Sequence, residues 1–138
     1  GAVADRWAQR HPGGRAMACA AFSVAAAVLL TLGLLVGGGT GTLALLFAWG
    51  LLASGFSAPA AAITQDVVRP ELRATAYGGC VLAMYLLGGA WSPIIVGALS
   101  DRLGDIGKAM LILPIGGIVA GILFHRAAGS YAGDRAAV

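Results

Sequence analysis

Gly55-Phe-Ser57-Ala-Pro59 opens with the letters of a hydrolase nucleophile elbow, in which a serine on a sharp turn is activated by a neighbouring base. The closing glycine of that motif is replaced by Pro59, and no His or Asp shares the surrounding apolar stretch. Ser57 is therefore not expected to be a nucleophile, and the chain is not expected to be an enzyme. Cys19 and Cys80 have no His or carboxylate nearby to complete a metal site, and they read as small apolar packers. His11 and His125 stand singly at the edges of apolar stretches. The glycine run at 37–41 lacks the lysine of a phosphate-cradling loop. Neither metal nor cofactor is expected. Proton-coupled transport normally needs a carboxylate or histidine at membrane depth, and the apolar stretches contain none.

What must position these residues is set by where the charges are not. Between Arg15 and Asp66 no side chain is charged, and the same holds from Ala74 to Ser100 and from Ala109 to Phe124. All nine basic and six acidic residues lie in the breaks, as expected when a charge at the bilayer centre costs a few kcal/mol. The chain is 59% hydrophobic and 11% charged, against about 25% charged in soluble domains. The expected fold is all-α, a polytopic membrane protein. The first stretch is long enough for two crossings of about 20 residues, and Gly37-Gly-Gly-Thr-Gly41 divides it. Four transmembrane helices follow, at about 16–36, 42–64, 74–99 and 107–124. Residues 1–15 form a charged loop. Residues 125–138, small, polar and without periodicity, are expected to be a loose tail.

Arg6, Arg10, Arg15, Arg69, Arg73, Arg126 and Arg135 fall on one side of this arrangement, and only Arg102 and Lys108 on the other. The positive-inside rule then makes both termini cytoplasmic, in the plasma membrane, or inner membrane of a bacterium. The net charge of +3 is a product of this bias. It gives no clustered basic face, so nucleic acid is not an expected partner. The lipid bilayer is.

Gly1, Asp5, Arg6 and Arg10 are similar to the cytoplasmic loop signature G-x-x-x-D-R-x-G-R-R of the major facilitator superfamily, with Ala8 and Gln9 departing from it. Val68 to Ala76 and Gly88 to Gly104 resemble, in order and spacing, the eleventh helix of spinster-like members. The resemblance covers nearly the whole chain and implies helices nine to twelve of a twelve-helix fold. It implies a secondary transporter working by alternating access, with substrate held between two six-helix halves. Its partners would be the upstream helices of the same transporter and a small-molecule substrate, lipid-like or amphipathic in this subgroup. Coupling residues would then lie upstream. Ser100 to Gly104 echoes the opening loop on the opposite side, as a solvated loop or an outer gate.

Pro59 and Pro93 each remove a backbone N–H and press on the carbonyl four residues back, at Gly55 and Gly89. Ser57 and Ser92 stand inside these breaks, where a hydroxyl can satisfy a freed carbonyl. The two breaks read either as hinges on opposite faces of a cavity or as ordinary kinks filled by neighbouring helices. On the third helix Tyr77, Met84 and Trp91 recur every seven residues, beside Tyr85 and Ser92. With Trp49 and Ser57 of the second helix they read as a substrate-facing surface or as helix packing and interface anchors. The pairs Gly33/Gly37 and Gly117/Gly121 of helices one and four favour close helix contact, which suits packing helices at the periphery. The alternative to a transporter segment is a stand-alone four-helix interaction or assembly subunit. Small four-helix exporters, for comparison, rely on a glutamate in their first helix, and none lies between Ala16 and Val36.

Overall fold

A computed structural model describes residues 6, 7, 9, 11 and 13–137. Gly1, Asp5 and Arg10 of the loop signature lie outside the described residues, while Arg6 is helical and exposed. The described chain is all-α. Four helical spans, Gly14–Val36, Gly39–Asp66, Pro70–Leu103 and Ile106–Tyr131, are long and apolar enough to cross a membrane, as an integral membrane protein requires.

Helix α1 (Gly14–Val36) and helix α2 (Gly39–Asp66) form a hairpin with almost no loop. Gly37, Gly38 and Gly39 take φ of 75°, 127° and 83°, which side-chain-bearing residues rarely adopt. Three consecutive glycines are what allow a reversal this tight. The Thr42 hydroxyl accepts from Gly38 N–H at 3.0 Å, covering a donor that the new helix leaves unpaired. Helix α2 thus starts three residues before Thr42 and reaches about 42 Å at 1.5 Å per residue.

The third span is not one regular helix. A 3₁₀ turn (Pro70–Leu72) leads into α3 (Arg73–Met84), a π-helical turn (Tyr85–Gly89) follows, and α4 (Trp91–Leu103) completes it. The π turn ends at Gly89, four residues before Pro93, whose missing N–H leaves the Gly89 carbonyl without its helical donor. Ala90 N–H bonds back five residues to the Tyr85 carbonyl at 2.8 Å. Gly104, at φ 66°, ends α4.

The fourth span is also broken. Helix α5 (Ile106–Met110) is capped by Asp105, whose Oδ1 accepts from Gly107 and Lys108 N–H at 2.8 and 3.3 Å. Helix α6 (Leu113–Ala136) begins after bonds of the i→i−3 type at Leu111 and Ile112. Pro114 accounts for the break, because its ring excludes the Met110 carbonyl and it offers no N–H in return. Helix α6 then continues to Ala136, so most of the segment expected to be a loose tail is helical.

Helix α1 is central, packed between α2 and α6. It is the most buried of the four spans, where the sequence suggested a peripheral one. Its core is made of small residues, among them Ala16, Cys19, Ala27 and Gly33. Helix α6 meets α1 through its own glycines. A Cβ on Gly117 would stand 3.0 Å from Ala27 Cβ, and one on Gly121 would stand 2.6 Å from Val24 Cγ2. The Gly117/Gly121 pair is therefore a contact face, as its spacing indicated. The other pair divides its work. Gly33 faces Leu46 of α2, and Gly37 makes the turn. By contrast α3 touches α2 along one side, α4 has α5 as its main neighbour, and the third span buries no residue of its apolar window.

Candidate substrate cleft

Where α3 leans on α2, a cavity of about 300 Å³ opens between them, lined by Phe56, Ser57, Thr64, Tyr77, Cys80 and Met84 with small alanines at its floor. Alanines at 53, 60 and 61 keep the α2 wall low enough for the space to exist. Three residues expected on a substrate-facing surface, Ser57, Tyr77 and Met84, come together here. The others do not. Trp49 lines a separate cavity of about 320 Å³ among α1, α2 and α6. Tyr85 and Trp91 are exposed and Ser92 is half-buried, all beyond the end of the cleft.

The π turn explains the loss of Trp91. One extra residue in a turn rotates everything after it by about 100°. The seven-residue spacing of Tyr77, Met84 and Trp91 therefore fails to keep Trp91 on the shared face, and residue 92 takes that phase instead. The sequence pattern assumed an unbroken helix.

Ser57 also differs from expectation. Its hydroxyl donates to the Ser54 carbonyl at 2.9 Å, not to the Gly55 carbonyl that Pro59 frees. Thr64 donates to the Ala60 carbonyl at 3.1 Å. The two α2 hydroxyls thus spend their protons within the helix and present oxygen lone pairs outward. The opposite wall offers the phenol of Tyr77, the Cys80 thiol and the Met84 thioether. Such a cleft, apolar and polarizable with a few neutral polar atoms, suits the apolar body of an amphipathic molecule, with any charged head left outside it. Of the hinge candidates, Pro59 is buried within an unbroken α2, Gly55 has open space where a side chain would stand, and Gly89 and Pro93 flank the end of the π turn.

Phe56 lines both cavities, and its ring meets Phe124 of α6 edge-on, 5.3 Å between centroids and 79° between planes. It joins the cleft to the α1–α2–α6 core.

The polar anchor of that core lies at the end of the bundle where the arginines collect. Asp66 Oδ2 accepts from the Arg15 guanidinium of α1 and, at 2.5 Å, from the Tyr131 hydroxyl of α6. One carboxylate at the end of α2 therefore ties three helices together. Tyr131 is 4% exposed, which separates it from an ordinary interface tyrosine. The sequence carried a signal for it. Gly117, Gly121, Phe124, Ala128 and Tyr131 follow one helical face straight through the segment that looked aperiodic. Arg15 and Asp66, at the open ends of a tight hairpin of two similar helices, were also bound to meet. Among the described residues, no group of three or more His, Cys, Asp or Glu side chains is placed to hold a metal ion.

No family model matches the chain, and no curated protein and no solved structure is significantly similar to it.

Proposed function

We propose that this chain is part of a secondary active transporter of the major facilitator superfamily, spinster-like, working by alternating access on a lipid-like or amphipathic substrate. The observation that carries this reading is the α2–α3 cleft, which pairs Ser57 with Tyr77 and Met84 beside a span interrupted by the π turn at Tyr85–Gly89. A neutral, polarizable wall next to a helix interrupted by a π turn is an arrangement suited to a moving binding surface. The third span supports it further, since an apolar span with no buried residue wants partners. On this reading those partners are the upstream helices of the same transporter, and its coupling carboxylates lie in them. The arginine-rich end faces the cytoplasm of a plasma or bacterial inner membrane.

Cys80 supplies the test. It is exposed in the cleft, whereas Cys19 is fully buried. A membrane-permeant maleimide should label Cys80 and spare Cys19 in the native membrane, and lysophospholipid or sphingoid compounds should slow that labelling. Equal labelling rates with and without such compounds, across a panel that also includes amphipathic drugs, would remove the cleft as the binding surface. A four-helix assembly subunit would instead bury Cys80 against a second copy, and labelling would depend on protein concentration.

A further inference from the structure

On the side of the bundle formed by α1 and α6, near the arginine-rich end, a groove of about 440 Å³ runs between the two helices. Its walls are Met17 and Val24 of α1 and Ile122 of α6, and its mouth carries Trp7, His125 and Arg126. Ala20, Ala21 and Gly121 form the floor, and the missing side chain of Gly121 is what gives the groove its depth. From Met17 to Val24 it extends about 10 Å along the helix axis. A second space of about 200 Å³ continues it, sharing Trp7 and Met17 and ending at His11. One end is thus apolar and the other carries a guanidinium and two imidazoles, with no carboxylate among the described residues of either lining.

We propose that this groove binds an anionic phospholipid, with an acyl chain along Met17, Val24 and Ile122 and the headgroup phosphate at Arg126 and His125. Charge complementarity selects the occupant. A partner helix would have to place a polar or acidic group against Arg126 while filling a narrow, low-floored slot. A phospholipid already has an acidic head joined to a thin chain. The groove also lies where the headgroup layer meets the acyl region if the arginines mark the membrane surface, and Trp7 is the amphipathic ring favoured at that depth. Of the described arginines at this end, Arg15 is engaged by Asp66 and Arg73 donates to the Gln65 carbonyl, whereas Arg126 lines the groove itself and is the phosphate ligand there. The inference needs only that the helices lie in a bilayer. It does not depend on the chain transporting anything.

The full native protein, purified in detergent and exchanged into bilayer discs of phosphatidylcholine doped with phosphatidylglycerol, provides the test by native mass spectrometry of retained lipid. Retention of phosphatidylglycerol over phosphatidylcholine is expected. Arg126→Gln should weaken that preference about fivefold, the worth of one surface arginine toward an anionic lipid. Ala21→Leu, filling the floor, should lower retention of both lipids, whereas Arg102→Gln at the opposite end should change neither. Equal retention of the two lipids, or a preference unaltered by both Arg126→Gln and Ala21→Leu, would overturn the proposal.

Discussion

Gly121→Ala adds a single methyl group at the closest approach of α6 to α1, and its effect can be worked out from the distances. The new Cβ would lie 2.6 Å from Val24 Cγ2 and 3.3 Å from the Ala20 carbonyl oxygen. Valine has one strongly preferred rotamer in a helix, so the methyl cannot simply swing away. The helices must separate by a fraction of an ångström or Val24 must leave its rotamer, a penalty of about 1–3 kcal/mol for overpacking. Against it stands a gain of up to about 1 kcal/mol from alanine's greater helix propensity. The net expectation is a loss of about 0–3 kcal/mol. Gly116→Ala is the control, since nothing lies within 4 Å of its would-be Cβ. That variant collects the propensity gain alone, so the two alanine variants should differ by about 1–3 kcal/mol. Adding Val24→Ala should relieve the clash, with a coupling of about 1–2 kcal/mol in the double-mutant cycle. Thermal and denaturant unfolding in micelles, followed by tryptophan fluorescence, measures all four. Equal stabilities for Gly121→Ala and Gly116→Ala, or strict additivity with Val24→Ala, would refute the packing argument.

Tyr131→Phe removes one donor to Asp66 and should cost about 1–2 kcal/mol in the same unfolding assay, while Asp66→Ala strips the acceptor from Arg15 and Tyr131 and should cost about 1–3 kcal/mol given its partial exposure. Gly37→Ala places a Cβ at φ 75° and should destabilise the hairpin by about 1–2 kcal/mol; an unchanged melting temperature would mean the turn is not the glycine turn described. Pro93→Ala restores the N–H that the Gly89 carbonyl lacks and should convert the π turn to α-helix, and Pro59→Ala should stiffen α2. Inward and outward transport rates of the native protein should both shift in these proline variants if the breaks are hinges, and unchanged rates would reduce them to ordinary kinks.

Much of the helical architecture was legible because charge at membrane depth is so costly that its absence marks the spans directly. The four spans, the break at Gly37 and the role of Gly117 and Gly121 as a contact face follow from that and from small-residue spacing, but which helix that face meets does not. What escaped was set by backbone hydrogen bonding. Pro114 splits the fourth span, and the π turn rotates Trp91 off the face of Tyr77 and Met84, so a fixed seven-residue period misleads once a turn holds an extra residue. The cleft was half legible. Ser57, Tyr77 and Met84 stood out by type, but Trp49 packs into the other cavity because α2 is long enough to present its two ends to different neighbours. Tyr131 was missed because a stretch rich in Ala, Gly and charge looks like a tail until its helical face is followed from Phe124.

The proposed transporter requires these four helices to work inside a larger membrane protein. An epitope tag placed after Val138 at the native locus, followed by the apparent mass of the membrane-embedded product, measures this directly. A twelve-helix transporter predicts a product of about three times the mass of this chain, from three such sets of spans. A product of the chain's own mass would contradict that reading and leave the unpartnered third span as the contact surface of a four-helix assembly.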